Sequence, residues 1–246
     1  MIGVVREGQG LAVLVPSEYG LLADGHRALI IGAIRAATAF HHRQGENSAD
    51  LRGDCGIVCC VDVLDQFGVN RSEADLVRHA LACGELHIEI GQPDASGWTY
   101  PGEQAAILGD YGVPAHPDLA PSLEWLAGAV QLGHGIIIGV NAGVLWNNPG
   151  NLGTGEANHA VTVTGIARDA GDNALLGFYV NDSGTGLSAQ FVSCQLMTAA
   201  FMRTGGYCVI TDISYVHAAP ARWHAAPARW HASPASWAAD LPRHCG

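Results

Sequence analysis

Apolar and polar positions change their period part-way along this chain. Ile57, Val58, Val61 and Leu64 recur at helical spacing with Cys59 and Cys60 between them, after the step Gly53-Asp54 and before Gly68. The stripe predicts a helix with Asp54 as its N-cap, Cys55 in its first turn and Gly68 as its stop. Ser72-Glu73-Ala74-Asp75 reads as a capping-box-like start and Gly84 as a stop, which predicts a second helix over 73–83. Shorter helices are expected near 102–109 and 123–132, each ending at glycine.

Past residue 135 the character changes to short apolar runs, with alternation of period two in the stretch after His159. Residues 136–141, the stretch opening Asn158-His159, residues 174–181 and residues 207–211 read as strands, with a helix near 193–203 between the last two. Residues 169–173 form a turn cluster. A hairpin centred between Ala170 and Gly171 sets His159 opposite Asp182, Val161 opposite Val180 and Val163 opposite Phe178. Directly opposed residues share a face, so the apolar face beside the His-Asp pair is expected to pack on the Cys55 helix. Helices followed by an antiparallel sheet make an α+β fold, with a cleft between the two lobes.

The chemistry follows from this placement. A thiol in the first turn of a helix sits among unpaired N–H groups at the positive end of the dipole, where a thiolate is favoured. The charge of Asp54 opposes that, and a cationic histidine is needed to offset it. Cys55 is therefore the expected nucleophile, His159 its base, and Asp182 the group that fixes the imidazole tautomer. Asn181 takes the third role if the register slips by one. Cys59 and Cys60, one turn inside, read as core residues. The long connection from Ala142 to Ala157, with Trp146, is expected to form one wall of the cleft.

Asp54-Cys55-Gly56, then Asn158-His159-Ala160-Val161 with Thr164-Gly165 behind it, then Val180-Asn181-Asp182, resembles the papain-like peptidases related to the bacteriocin-leader (double-glycine) peptidases. The resemblance spans about residues 50–213. It implies a papain-like fold, cysteine peptidase activity and a triad carried onto Cys55, His159 and Asp182. That family usually has a glutamine six residues before the cysteine as an oxyanion donor, and here the position is Ala49. Gln44, Asn47 or a longer loop are the candidate substitutes, and loss of such a donor costs on the order of a hundredfold in rate.

Composition narrows the partners. A net charge of -11 excludes a nucleic-acid binder, because phosphate contacts need basic patches. The expected partner is a peptide or protein substrate, with no metal or organic cofactor. All 12 basic residues are arginine. No stretch is long and apolar enough to cross a bilayer, and the start carries no cleavable signal pattern, so a cytoplasmic protein, or one exported without such a signal, is expected. Seven cysteines without tandem Cys-x-x-Cys pairs give weak support to structural zinc.

Three segments are expected: an N-terminal extension over 1–45 with an amphipathic helix at 28–40, a peptidase domain over 46–216, and a repeat tail over 217–246. The tail repeats HAAPARW, and a proline every seven residues forbids a continuous helix. Its readings are a duplication without a role, a partner-binding segment, a soft-metal site on His217, His224, His231, His244 and Cys245, or a plug for the cleft. The functional expectation is thus a cysteine peptidase, either a peptide-processing enzyme or a secreted effector. Deamidase, transamidase or cell-wall amidase action with the same triad is the alternative, followed by a peptide-binding module with little turnover.

Overall fold

The computed structural model describes residues 15–216. The expected tail at 217–246 lies outside the described residues. One eight-stranded sheet organises the fold, in the order β1-β2-β5-β4-β8-β3, with β6 on β5 and β7 on β6. The strands are β1 (Ser17–Leu21), β2 (Arg27–Gly32), β3 (Ala115–Leu119), β4 (His134–Val140), β5 (His159–Asp169), β6 (Leu175–Asp182), β7 (Leu187–Ser193) and β8 (Tyr207–Ser214). The helices are α1 (Cys55–Gln66), α2 (Glu73–Cys83), α3 (Pro101–Asp110), α4 (Leu123–Gln131), α5 (Ala142–Leu145) and α6 (Cys194–Ala200).

Local chemistry fixes several boundaries. Ser72 and Asp75 close a reciprocal capping box at the start of α2, and Gly84 ends it in the left-handed conformation at φ 75°. Asp54 precedes α1 as expected but makes no capping hydrogen bond, and its carboxylate turns elsewhere. The stretch 28–40 is not an amphipathic helix. It is β2 followed by a 3-10 helix over Ile34–Phe40. β2 pairs with the end of β5 from Ala28↔Asp169 to Gly32↔Gly165, so residues assigned to an extension belong to the same sheet as His159. Its apolar run satisfies either period, and pairing with β5 decides it.

The sheet has two covered faces. Ile136, Ile138, Val161, Val163, Phe178 and Val180 join α4 and α6 residues in one core. Ile137, Ala160 and Val209 point the other way, into a second core with Ile57, Val61 and Leu64 of α1 and with α2 and α3. Each of the large aliphatic and aromatic side chains among these, fully buried, contributes roughly 1.5–3 kcal/mol. This corrects one expectation: α1 packs over Ala160, on the face opposite to Val161 and Val163. The hairpin register also differs. Val163 pairs with Val180 and Thr162 with Asn181, two residues from the expected alignment, with a bulge between Val163 and Gly165. A shift by two keeps every side chain on its face, whereas a shift by one would not.

Candidate active site

Because of that shift, His159 and Asp182 are diagonal rather than directly opposed, and the imidazole reaches across. His159 Nε2 lies 2.9 Å from Asp182 Oδ1. The carboxylate is fully buried, and every partner it has is a donor. Oδ1 also accepts from Gly184 N at 2.9 Å and Thr185 N at 3.3 Å, and Oδ2 accepts from Trp146 Nε1 at 2.6 Å. Burial pulls the Asp182 carboxyl upward, but these bonds and the charge of His159 outweigh it and hold the group below its ordinary range. Asn181 faces away, donating to Ala37 O at 3.0 Å and accepting from Ala189 N at 2.9 Å.

With Nε2 on the carboxylate, Nδ1 is the ring nitrogen left for the thiol. Cys55 stands at the first position of α1 and His159 at the first position of β5. α1 lies on the Ala160 side of β5, so the thiol meets the imidazole at the end of the strand and not across its apolar face. Burial pulls the Cys55 thiol up, but the hydrogen bond and charge of His159, with the N–H groups of Ala160 and Gly56, bring it below its usual value. Burial draws His159 down, while Asp182 and Cys55 push it up to about 10. The Cys55 Sγ leans 4.0 Å from Gly53 O, a loose resting geometry.

The other free cysteines differ in sign. Burial pushes Cys59, Cys60 and Cys194 up, and Cys208 up to about 12. Among the described free cysteines, Cys55 alone is shifted toward the thiolate. Asp54 does not oppose it at neutral pH. Burial, then hydrogen bonding to Glu73, pushes the Asp54 carboxyl up to about 8, so the group next to the thiol carries little charge.

The thiol and imidazole open on a cleft of about 910 Å³. Trp98, Tyr100 and Gln104 line one wall and Ile137, Gly139 and Tyr207 another. Glu156, Ala157 and Asn158 at the end of the 142–157 connection also line it. Trp146 lies elsewhere, over the His-Asp pair, its ring centroid 5.0 Å from that of His159. Sequence reasoning placed it in a cleft wall and missed the indole N–H as a carboxylate donor. A tryptophan close before the histidine strand is the signal that was available.

At the oxyanion side, Ala49 is exposed and supplies nothing. Gln44 donates to Arg52 O at 2.7 Å, and Asn47 donates to Leu51 O, Asp54 and Glu73. Asn47 has no N–H to spare, and one N–H of Gln44 is committed to Arg52. Gln104, which sequence reasoning passed over, sits against Gly56: a Cβ on Gly56 would stand 2.5 Å from Gln104 Nε2 and 2.2 Å from Thr99 Oγ1.

No family model matches the chain. A crystal structure of a provisionally assigned C39-like peptidase from Bacillus anthracis superposes with a TM-score of 0.50, covering 71% of this chain and 94% of that one at 15% identity. The fold is papain-like. Uncharacterized proteins of Mycobacterium tuberculosis and Mycobacterium bovis are 26% identical over 186 residues, covering 66% of this chain and 75% of theirs. The papain-like fold thus has a solved counterpart described as a peptidase, while the similar mycobacterial sequences bring no activity with them. No helix among the described residues is long and apolar enough to cross a membrane.

Proposed function

We propose that the chain is a cysteine peptidase in which Cys55 attacks the carbonyl carbon of a peptide bond. The observation that carries this reading is the convergence of a down-shifted thiol, an imidazole pushed up to about 10 and a buried carboxylate at the mouth of an open cleft. The lowered thiol and the raised imidazole favour passage of the Cys55 proton to His159, which leaves the sulfur as the attacking thiolate. Attack forms the carbon–sulfur bond and places negative charge on the carbonyl oxygen, near the Cys55 and Gly56 N–H groups at the start of α1. His159 gives its proton to the leaving amine as the carbon–nitrogen bond breaks. A water then attacks the thioester, His159 takes its proton, and the thiolate is regenerated. Asp182 holds the ring through Nε2 and stabilises imidazolium throughout.

Leader-peptide processing and effector cleavage remain within this proposal as substrate choices, as do deamidation and amidase action, which share the acyl-enzyme step. A second reading, a peptide-binding module with little turnover, is favoured by exposed Ala49 and by the commitments of Gln44 and Asn47. A peptide carrying a thiol-reactive warhead tests both. Rapid labelling of Cys55 that disappears in His159→Ala, with cleavage products in a peptide library by mass spectrometry, supports the peptidase. Labelling of Cys55 no faster than that of the other cysteines would leave the binding module standing.

A further inference from the structure

On the lobe opposite β5, away from the thiol, α2 and α3 bring their C-terminal ends together. Neither helix carries a basic residue in its last turn, so the partial negative charge of both ends is uncompensated from within. Into this region project His79 and Cys83 from one face of α2, Glu85 just past its glycine cap, and Asp110 from the last position of α3. One donor atom from each lies within 4.8 Å of the others. His79 is 3% exposed, and its Nε2 lies 2.7 Å from Asp110 Oδ2. The Cys83 sulfur stands 3.8 Å from the same nitrogen.

One polar group here is left without a match. Glu85 Oε2 is buried and has no hydrogen-bond partner among the described residues. Glu103 is engaged with His87 Nε2 at 2.7 Å and Tyr100 N at 2.6 Å. Arg71 lies over the ring of Tyr111, and Arg78 pairs with Asp75, so neither arginine is committed to Glu85. A buried carboxylate oxygen without a donor, beside a histidine–carboxylate pair at the negative ends of two helices, is short of one cation.

We propose that His79, Glu85 and Asp110 bind a divalent first-row metal ion of the zinc type, through His79 Nε2 and one oxygen from each carboxylate. Cys83 takes part in a disulfide, and its sulfur is not counted as a ligand. A nitrogen donor with two carboxylates suits zinc or its neighbours better than magnesium or calcium, which prefer oxygen alone. The ion replaces the hydrogen shared by His79 and Asp110 and supplies the partner that Glu85 lacks. It has no part in the thiol chemistry. It pins the end of α2 to the end of α3, the helix that carries Gln104 into the cleft wall. A search for paired cysteines passes over this site because its donors are an imidazole and two carboxylates, from α2, the turn after it and α3.

The test uses the full chain, stripped with chelator and with Cys55 alkylated so that the thiol–imidazole pair cannot hold the ion. Zinc chloride is titrated against a chromophoric chelator. The expected result is one equivalent bound, with affinity falling at least tenfold in the near-isosteric Glu85→Gln and Asp110→Asn. Excess zinc is expected to raise the unfolding temperature by about 5 °C in the unsubstituted chain and much less in Glu85→Gln. Zinc binding of unchanged stoichiometry and affinity in both variants overturns the proposal and directs attention to the tail histidines. Absence of tight binding in the unsubstituted chain overturns it as well.

Discussion

His159 and Cys55 stand on two sides of one cleft, and their surroundings are built differently. The imidazole is held by a hairpin: ladder pairing from Thr162↔Asn181 to Arg168↔Leu175, broken by bulges after Val163 and Ala167, a buried carboxylate with four donors, and an indole laid over both. The thiol is held by a helix terminus reached through an irregular stretch over 41–54. That stretch is tied down by side chains, with Asn47, Gly45 and Glu46 gathered around Asp54 and Glu73. Ladder geometry is repetitive and tolerates a slip of two residues without losing a face. A loop braced by a buried carboxyl pair has no such redundancy. Damage to the first region should therefore show in chemistry, and damage to the loop that braces the second, as distinct from the thiol itself, in both chemistry and folding.

The sharpest break is Cys55→Ala. It removes the nucleophile from a half-buried helix terminus with a small change of volume, so hydrolysis should fall by about four orders of magnitude or more. The unfolding temperature should stay within about 2 °C. Single-turnover kinetics with melting curves checks both, and residual turnover near the parent rate contradicts the assignment. Asp182→Asn comes next. Four donors converge on this carboxylate, and an amide must turn its own NH2 toward at least one of them while no longer stabilising imidazolium. A loss of roughly a hundredfold or more in kcat is expected, with the alkaline limb of the rate profile moved to lower pH.

These two variants concern the parts that were legible in the sequence. The α1 stripe, the α2 capping box and the hairpin each have a local signature, and the site residues sit at the ends of those elements. Less legible was anything that depended on distant pairing. The apolar run of β2 reads as helix from the sequence, although it pairs with β1 across a short turn as well as with β5 more than 130 residues on, and no local pattern marks β1, β3 or β7 as strands. β7 contains Ala189 at φ 50° and sits at the edge of the sheet, paired with β6 alone, so its pattern is weak. The position of Trp146 in the 142–157 connection suggests a cleft wall, but the turn through α5 carries its indole back to Asp182. Asp54 reads as a cap from its position before the α1 stripe. Its side chain found Gly45 N, Asn47 and Glu73 instead, partners that no spacing rule predicts.

A smaller effect probes the seam between the two regions. Gly56 follows the nucleophile, and any Cβ there would displace Thr99 Oγ1 and Gln104 Nε2. Gly56→Ala should cost about 1–3 kcal/mol of stability by overpacking. It should also cut kcat/KM by roughly tenfold through movement of the Gln104 wall. Denaturant unfolding alongside steady-state kinetics separates the two. A variant with lost stability but unchanged kcat/KM would show that the Thr99–Gln104 pair supports α1 without shaping the cleft.

The mildest probe is pH, and it returns to the thiol's supporting loop. Asp54 has a folded-state pKa pushed up to about 8 against an ordinary 3.8. The fold therefore holds a proton that the unfolded chain releases, and stability falls as pH rises from about 4 toward 8. His159 acts in a later window. Raised to about 10 from 6.5, it contributes stability that is complete below pH 6.5 and is lost as pH climbs through 10. Between pH 4 and 6.5 the slope from these two groups thus belongs to Asp54. In Asp54→Asn the amide N–H stands in for the acid proton facing Glu73, and that part of the slope should flatten while the part above 6.5 persists. Unfolding midpoints from pH 4 to 9 measure it. If the early slope survives the substitution, the braced loop is not titrating through Asp54, and the small charge beside the thiol must have another origin.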